Sequence, residues 1–200
     1  MTTANPLAPR RHKRHPLAGD GPIVDRARRA LRSTAEHFGS VQGTDRTTVT
    51  VRTKDGIEIV FSYDPGNYVF SRVYACTIST VLPDTTDVPA TVSLTHRGTQ
   101  RGGRFVAGRV SAHSECAVDR LNRATASHLA GIDLVRASIA TTKNSGKRLT
   151  LSPMGGSFVW VLIPPVFKAT AFPPGEPERI LELIRAVRGL THSKPHSSSP

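Results

Sequence analysis

Four consecutive residues, His113-Ser114-Glu115-Cys116, bring together a base, a carboxylate and a thiol. Such groups can serve as general base, general acid and nucleophile. The H-x-E spacing is also that of zinc deaminases, in which a P-C-x-x-C segment completes the metal site. That segment is missing, because Cys116 is the last cysteine of the chain. In the structural interpretation, which we favour, Ser114 caps a helix, Glu115 complements the positive end of its dipole, and Cys116 packs as a buried residue.

The other potential metal ligands are scattered along the sequence. A pair of metal ligands on one helix face would be spaced four residues apart. No such pair is formed by any of the histidines considered, which are His37, His96, His113 and His128. Cys76 and Cys116 stand 40 residues apart, which is neither a disulfide framework nor a metal knuckle. We therefore predict no metal, no cofactor and no catalytic residue.

Positive charge is concentrated at the N-terminus. The chain has 200 residues and a formal net charge of +12, and residues 1–32 alone hold eight Lys or Arg against two Asp. Residues 1–19 are rich in Pro and poor in apolar side chains, which predicts a disordered basic tail. Such a tail attracts nucleic acid or another polyanion, including an anionic membrane surface, without reading sequence; the alternative is a solubilising tail. The candidate anion contacts are Arg10, Arg11, Lys13 and Arg14.

A second basic element, Arg101-Gly102-Gly103-Arg104, lies between two short predicted strands. A Gly-rich cationic loop can approach phosphates closely, although the spacing of a nucleotide-binding P-loop is absent. Arg101 and Arg104 are therefore further candidate anion contacts. The alternative is a mobile hairpin tip with solubilising arginines.

Aromatic side chains recur on two predicted strands. They could line a pocket between sheet and helices or stack on bases, and the alternative is an ordinary sheet core. The residues considered as pocket lining are Tyr68, Phe70, Phe158 and Trp160.

Hydrophobic periodicity predicts three amphipathic helices separated by alternating strands. The helices are expected from Pro22 to Gly39, from Ser114 to Gly131 and from Pro177 to Gly189. Among the turns between strands, Gly155-Gly156 predicts a chain reversal. This order of elements predicts an α+β fold, in which an antiparallel sheet carries the helices on one face.

A shift of 90 residues aligns residues 56–83 with 146–173 at six identities in 28 positions. Turn glycines coincide with turn glycines and strand aromatics with strand aromatics, which predicts an internal duplication of a helix plus four-strand unit. The two halves would be residues 22–110 and 111–190, joined in a pseudo-symmetric curved sheet. In element order only, this resembles the duplicated saddle of the TATA-binding-protein-like fold, and none of that family's DNA contacts carries over.

The segment from Pro153 to Pro165, with its sequence PMGGSFVWVLIPP, precedes the predicted C-terminal helix. Together they resemble the closing part of uncharacterised bacterial proteins that contain a domain of unknown function. The resemblance covers the last quarter of the chain and implies a recurring structural unit without an activity.

No apolar run reaches the length of about 20 residues needed to cross a bilayer, and none of signal-peptide length follows the N-terminal charges. We expect a cytoplasmic protein with one domain over residues 20–190 and a polar tail over 191–200. The expected function is non-catalytic binding or scaffolding, in which the basic arm holds an anionic partner, nucleic acid first. The alternative is a pocket for an apolar small molecule or an unrecognised reaction. The sequence predicts no particular oligomeric state.

Overall fold

A computed structural model describes residues 15–67, 71–97, 102–108, 111–142, 146–161 and 166–191. Within these residues the chain forms three helices and ten strands. In chain order they are α1 (Pro22–Glu36), β1 (Ser40–Thr44), β2 (Thr48–Arg52), β3 (Glu58–Asn67), β4 (Ser71–Val81), β5 (Thr91–Thr95), β6 (Arg104–Ala107), α2 (Ala112–Leu129), β7 (Leu134–Thr141), β8 (Lys147–Pro153), β9 (Phe158–Val161), β10 (Val166–Ala169) and α3 (Glu176–Arg188).

The described strands form one antiparallel sheet in the order β1-β2-β3-β4-β8-β7-β5-β6. The short strand β9 pairs with the N-terminal half of β4, and β10 pairs with β9. The prediction of an α+β fold with an antiparallel sheet is confirmed. The centre of the sheet is β4, which contacts β3 on one side and both β8 and β9 on the other.

The helices pack on one face of this sheet because their apolar stripes need the apolar side of alternating strands. On α1 the buried residues Ala27, Leu31 and Ala35 recur every four positions. On α3 the buried residues Ile180, Leu183, Ile184 and Val187 follow the i, i+3, i+4, i+7 spacing of one helix face. Alternate residues of the central strands, such as Ile59, Phe61 and Tyr63 on β3, join them in one hydrophobic cluster, in keeping with the two-residue period of a strand. The remaining strand residues point to the opposite face, which none of the described helices covers; we call it the open face.

An ion pair ties the helical layer to the end of the sheet. Asp55 lies in the turn between β2 and β3, and its Oδ2 accepts a hydrogen bond of 2.8 Å from Nε of Arg185 on α3. This hydrogen bond is the main reason that the pKa of Asp55 is lowered to about 2. Because both side chains are partly exposed, the pair orients α3 more than it stabilises the fold.

The predicted reversal at Gly155-Gly156 is wrong. β8 and β9 run in the same direction along β4, with Leu151 opposite Ile78 and Phe158 opposite Tyr74. Between these two pairs there are six residues on the β8–β9 side, 152–157, but only three on β4, 75–77. The extra residues loop out of the sheet. We call residues 154–157 the excursion. The chain reverses later, between β9 and β10.

Hydrogen bonds to the neighbouring strands fix the excursion. The hydroxyl of Tyr63 donates to the carbonyl of Gly156 at 3.2 Å, and the backbone N–H of Cys76 donates to Oγ of Ser157 at 3.1 Å. Gly156 adopts a φ of 74°, a conformation that glycine enters without strain.

The internal duplication is not confirmed, but the 90-residue match has a structural counterpart. β3 and β8 flank β4 from opposite sides, and Val60 and Thr150, which are 90 residues apart, both pair with Ser79. Beyond the excursion the offset becomes 93, because Pro65 and Phe158 both pair with Tyr74. The 90-residue offset therefore has a structural counterpart only as far as the excursion.

Helix α2 begins three residues earlier than predicted. Ser111 is its N-cap, and its Oγ accepts a hydrogen bond from the backbone N–H of Ser114 at 3.2 Å. The hydroxyl of Ser114 in turn accepts from the N–H of Ser111 at 2.7 Å, which makes a reciprocal capping box. Ser114 therefore belongs to the cap, but as the third helical residue.

Candidate functional site

The open face carries a row of small, mostly hydroxyl-bearing side chains. The register of six neighbouring strands places them side by side on β2, β3, β4, β8, β7 and β5. In that order they are Thr50, Val60, Ser79, Thr150, Ser138 and Ser93. With a strand spacing of about 4.8 Å, the row extends over about 24 Å. All six are partly or fully exposed, so a partner could approach both the hydroxyls and the strand backbone closely.

Arginines surround this hydroxyl row. They lie on open-face positions of β2, β6, β7 and β8, next to two carboxylates on β3. The arginines are Arg52, Arg104, Arg136 and Arg148, and the carboxylates are Glu58 and Asp64. The face therefore has a net charge of +2 from these six side chains, which favours an anionic partner.

One ion pair spans the face. Nη1 of Arg136 on β7 lies 3.7 Å from Oδ2 of Asp64 on β3, although β4 and β8 lie between these two strands. The long arginine side chain crosses above the small residues of the intervening strands. Because both groups are exposed, a stronger anion can compete with Asp64 for Arg136.

The N-terminal segment is anchored on the open face. Nε2 of His15 lies 2.9 Å from Oγ of Ser62, which occupies an open-face position between the buried Phe61 and Tyr63. Burial lowers the pKa of His15 below 6.5, and the charge of Asp64 opposes this shift. Two residues later Leu17 is buried in the core, so the chain passes from the open face to the helical face within residues 15–17.

The predicted anion contacts divide into described and undescribed residues. Arg104 begins β6 and is exposed on the open face. Those outside the described residues are Arg10, Arg11, Lys13, Arg14 and Arg101. The anchor at His15 nevertheless fixes where the arm joins the domain, since Arg14 is the preceding residue.

The structure describes two of the four predicted pocket residues, Phe158 and Trp160. Tyr68 and Phe70 lie outside the described residues. Phe158 is 3% exposed and stacks on Tyr74 with ring centroids 6.1 Å apart, so it belongs to the core. Trp160 stacks on Phe167 and borders a cavity of about 260 Å³ beside the N-terminus of α1.

A larger cavity of about 500 Å³ lies between α1 and residues 169–178. Ser33 and His37 line it from α1, and Phe172 and Glu178 line it from the other side. Its size falls within the range of small-molecule sites. Sequence reasoning missed it because residues 170–175 form no regular element whose periodicity would place them against α1.

The tetrad His113 to Cys116 lies in the first turn of α2. Ser114 takes part in the cap and Glu115 lies in the first turn, in accord with the structural interpretation. Cys116 is exposed, which corrects the expectation that it is buried, whereas Cys76 is buried as expected. Among the described residues, no three His, Cys, Asp or Glu side chains cluster as metal ligands would.

A family model described as "Protein of unknown function (DUF3156)" matches residues 36–191. The chain belongs to this family. The DUF3156 match extends far beyond the last quarter of the chain, to which the resemblance in the sequence is limited. It covers every described strand together with α2 and α3, whereas α1 precedes it except for Glu36. No curated protein and no solved structure matches the chain. None of the helices described in this DUF3156 protein is long and apolar enough to span a membrane.

Proposed function

We propose that the protein is a non-catalytic binding protein for a polyanion, with nucleic acid as the expected partner and the open face as the binding surface. In this proposal the hydroxyl row supplies hydrogen bonds to the nucleic acid. The arginines around the row contact its phosphates, and such contacts position a nucleic-acid strand without reading its base sequence. None of the described open-face strand residues is aromatic, so base stacking contributes little and electrostatic contacts dominate.

The observation that carries this proposal is the hydrogen bond between His15 and Ser62. It places His15, the residue at which the basic arm joins the domain, on the same face as Arg104 and Arg136. We propose that these two basic regions, far apart in the sequence, act on one partner. Arg10, Arg11, Lys13 and Arg14 are proposed as additional phosphate contacts, and Arg101 is proposed to act with Arg104.

Salt dependence tests the electrostatic part of the proposal. The affinity of the full chain for a short labelled single-stranded oligonucleotide is measured by fluorescence anisotropy between about 50 mM and about 200 mM salt. We expect log K to fall linearly with log salt concentration. Removal of residues 1–14 should flatten the slope by about 0.7 for each lost phosphate contact. An affinity that is independent of salt overturns the proposal.

A matched pair of variants tests the open face. Ser138→Glu places a negative charge in the middle of the hydroxyl row, whereas Ser127→Glu places the same charge on an exposed position of α2. We expect only Ser138→Glu to abolish binding, with the thermal unfolding midpoint of both variants close to that of the natural chain. Equal loss of binding in the two variants contradicts the open face as the binding surface.

The cavity of about 500 Å³ beside α1 supports a second candidate function, the binding of a small apolar ligand. Trp160 is the single tryptophan of the chain and borders the smaller cavity at the N-terminus of α1, so its fluorescence reports on that end of the helix. Ligand binding would raise the unfolding midpoint without any dependence on residues 1–14. If no member of a panel of apolar ligands changes either signal, this second candidate is wrong.

A further inference from the structure

One end of the open face contains a polar cavity of about 270 Å³. Its walls come from four places: the β2–β3 turn at Gly56, the start of β3 at Glu58, the end of β4 at Ser79, and the start of β8 at Arg148. Arg188, the last residue of α3, adds a second guanidinium. The cavity thus joins the open face to the C-terminal end of the helical layer.

A hydrogen bond holds Arg188 in place, and neither Arg188 nor Arg148 is neutralised by a carboxylate of the described residues. Nη1 of Arg188 donates a hydrogen bond of 2.6 Å to the carbonyl of Val81, which fixes the guanidinium and leaves its other N–H groups available. Arg148 lies directly opposite Val81 in the sheet. In the described part of the chain, neither arginine takes part in an ion pair.

The carboxylate of Glu58 borders the same cavity, but it forms no ion pair with either arginine. The cavity therefore offers cationic donors and an acidic acceptor that do not satisfy each other. A ligand that fits both needs an anionic group and a hydrogen-bond donor close to it.

We propose that this cavity binds a phosphate monoester, with Arg148 and Arg188 on the phosphate and Glu58 accepting a hydrogen bond from a neighbouring sugar hydroxyl. A monoester carries a charge of about −1.5 to −2 near neutral pH and has three acceptor oxygens. It therefore suits two guanidinium groups better than the singly charged diester inside a strand. Guanidinium groups also match phosphate oxygens in geometry.

This inference rests on the proposed function and makes it more specific. The monoester would be the terminal phosphate of an oligonucleotide that is bound on the open face. The same chemistry is found in a free nucleotide. The probes must therefore distinguish a strand end from a mononucleotide.

The test compares oligonucleotides of one sequence with a phosphate or a hydroxyl at the 5′ or the 3′ end, and adenosine monophosphate as competitor. We expect a terminal phosphate to increase the affinity of the full chain about tenfold, as charge-assisted hydrogen bonds would. Arg148→Gln and Arg188→Gln should each abolish this increase. Arg123→Gln, which removes an exposed arginine of α2, should leave it unchanged.

Arg188 also contacts Val81, so thermal unfolding of Arg188→Gln is measured alongside binding. Arg148 has no described side-chain partner, and the Arg148→Gln result is therefore decisive even if Arg188→Gln is destabilised. Glu58→Gln should weaken binding of an oligonucleotide whose phosphate-bearing end nucleotide is a ribonucleotide more than that of one whose end nucleotide is a 2′-deoxyribonucleotide.

The outcomes separate the two proposals. If oligonucleotides bind with steep salt dependence but a terminal phosphate adds nothing, the phosphate site is wrong and the proposed function stands. If adenosine monophosphate binds in an Arg148-dependent manner and oligonucleotides do not, the phosphate site stands and the proposed function is wrong. If neither probe binds, both are overturned.

Discussion

The carboxyl group of Glu176 is 1% exposed, and only one of its oxygens has a partner among the described residues. Oε1 accepts a hydrogen bond of 2.9 Å from the backbone N–H of Asp133, whereas Oε2 lies near Gly155. Burial raises the pKa of Glu176 above 4.5, and the Asp133 N–H and the charge of Arg179 only partly oppose it. The folded protein therefore favours the protonated carboxyl.

This raised pKa predicts how stability depends on pH. Well below pH 4.5 Glu176 is protonated in both the folded and the unfolded state, so its burial carries no ionisation penalty. As the pH rises through the folded pKa, the unfolded chain is already ionised and the natural protein loses stability. Glu176→Gln cannot ionise, so its free energy of unfolding relative to the natural chain should rise between pH 4 and pH 7. Urea unfolding at both pH values measures this difference.

Glu178→Gln, at an exposed position two residues further along α3, serves as the control. Its relative stability should change little over the same range. A constant difference between Glu176→Gln and the natural chain at the two pH values would falsify the assignment of a raised pKa to Glu176.

The two thiols should differ sharply in reactivity. Cys76 is fully buried, and burial raises its pKa to about 12, whereas Cys116 is exposed. Because the thiolate is the reactive form, the native protein should react with a thiol reagent at one cysteine and the unfolded protein at two. In the Cys116→Ser variant, the folded protein should no longer react with the reagent. If two thiols of the unmodified sequence react rapidly in the folded state, Cys76 is accessible and the expectation is wrong.

Sequence patterns predicted the burial of Cys76 but not the exposure of Cys116. Cys76 lies on a strand whose alternation is clear from its aromatic and β-branched neighbours. Cys116 lies in the first turn of α2, where the choice between Ser111 and Ser114 as N-cap fixes the helix start. Both serines have the chemistry of an N-cap, so local propensity could not separate them.

At the scale of elements, the excursion shows what local signals omit. Gly155-Gly156 has the composition of a hairpin turn, and Gly156 does adopt the left-handed backbone. Whether the chain then reverses or continues is decided by β4, whose N-terminal half offers a free edge to β9. That edge comes from residues about 80 positions earlier in the sequence, beyond the reach of any turn rule.

The packing of the excursion predicts a large effect of a single methyl group. A Cβ on Gly156 would lie 2.8 Å from Cγ2 of Thr34 and 2.9 Å from Cζ of Phe172, at a φ of +74°. Overpacking and backbone strain together should make Gly156→Ala less stable by about 2 kcal/mol or more. The unfolding midpoint should fall by roughly 4–8 °C in a domain of this size.

Gly43→Ala is the matched control, because a Cβ on Gly43 has no atom within 4 Å and its backbone is not left-handed. Calorimetry of the two variants should show a small change for Gly43→Ala and a large one for Gly156→Ala. Equal midpoints would mean that the excursion yields easily and does not constrain the fold.

At the scale of the whole molecule, the residues matched by the family model are fewer than the residues that pack into the folded domain. The match begins at residue 36, but α1 before it buries Ala27, Leu31 and Ala35 against the sheet. Loss of Leu31 alone would remove about 2 kcal/mol of hydrophobic stabilisation, and the strand residues beneath α1 would be exposed to water.

We therefore expect residues 36–191 alone to lose a cooperative thermal transition and to bind a dye that reports exposed apolar surface. Residues 15–191 and the full chain should both unfold cooperatively, because both retain Leu17 and α1. Circular dichroism and dye fluorescence measure both properties. Similar midpoints for the two fragments would show that α1 is an accessory to the DUF3156 unit.

Apolar periodicity and turn residues along the sequence predicted the helices and the antiparallel sheet. They did not predict the candidate site. Alternation indicates that Ser79, Ser138 and Thr150 point away from the core, but only the register of three strands places them side by side. Arg148 and Arg188 meet at one cavity because α3 ends beside β4 and β8, which is a tertiary relation without a local signal.

The position of β4 also has a consequence for biosynthesis. Its β3 edge can pair as soon as the hairpin is made, but its opposite edge waits for β8, and Pro153 follows Val81 by 72 residues. At translation rates of about 5–20 residues per second, the nascent chain carries this unpaired edge for roughly 4–14 s. During this interval the incomplete sheet exposes an unpaired strand edge, which favours aggregation. We expect chaperones to bind the nascent chain at this stage.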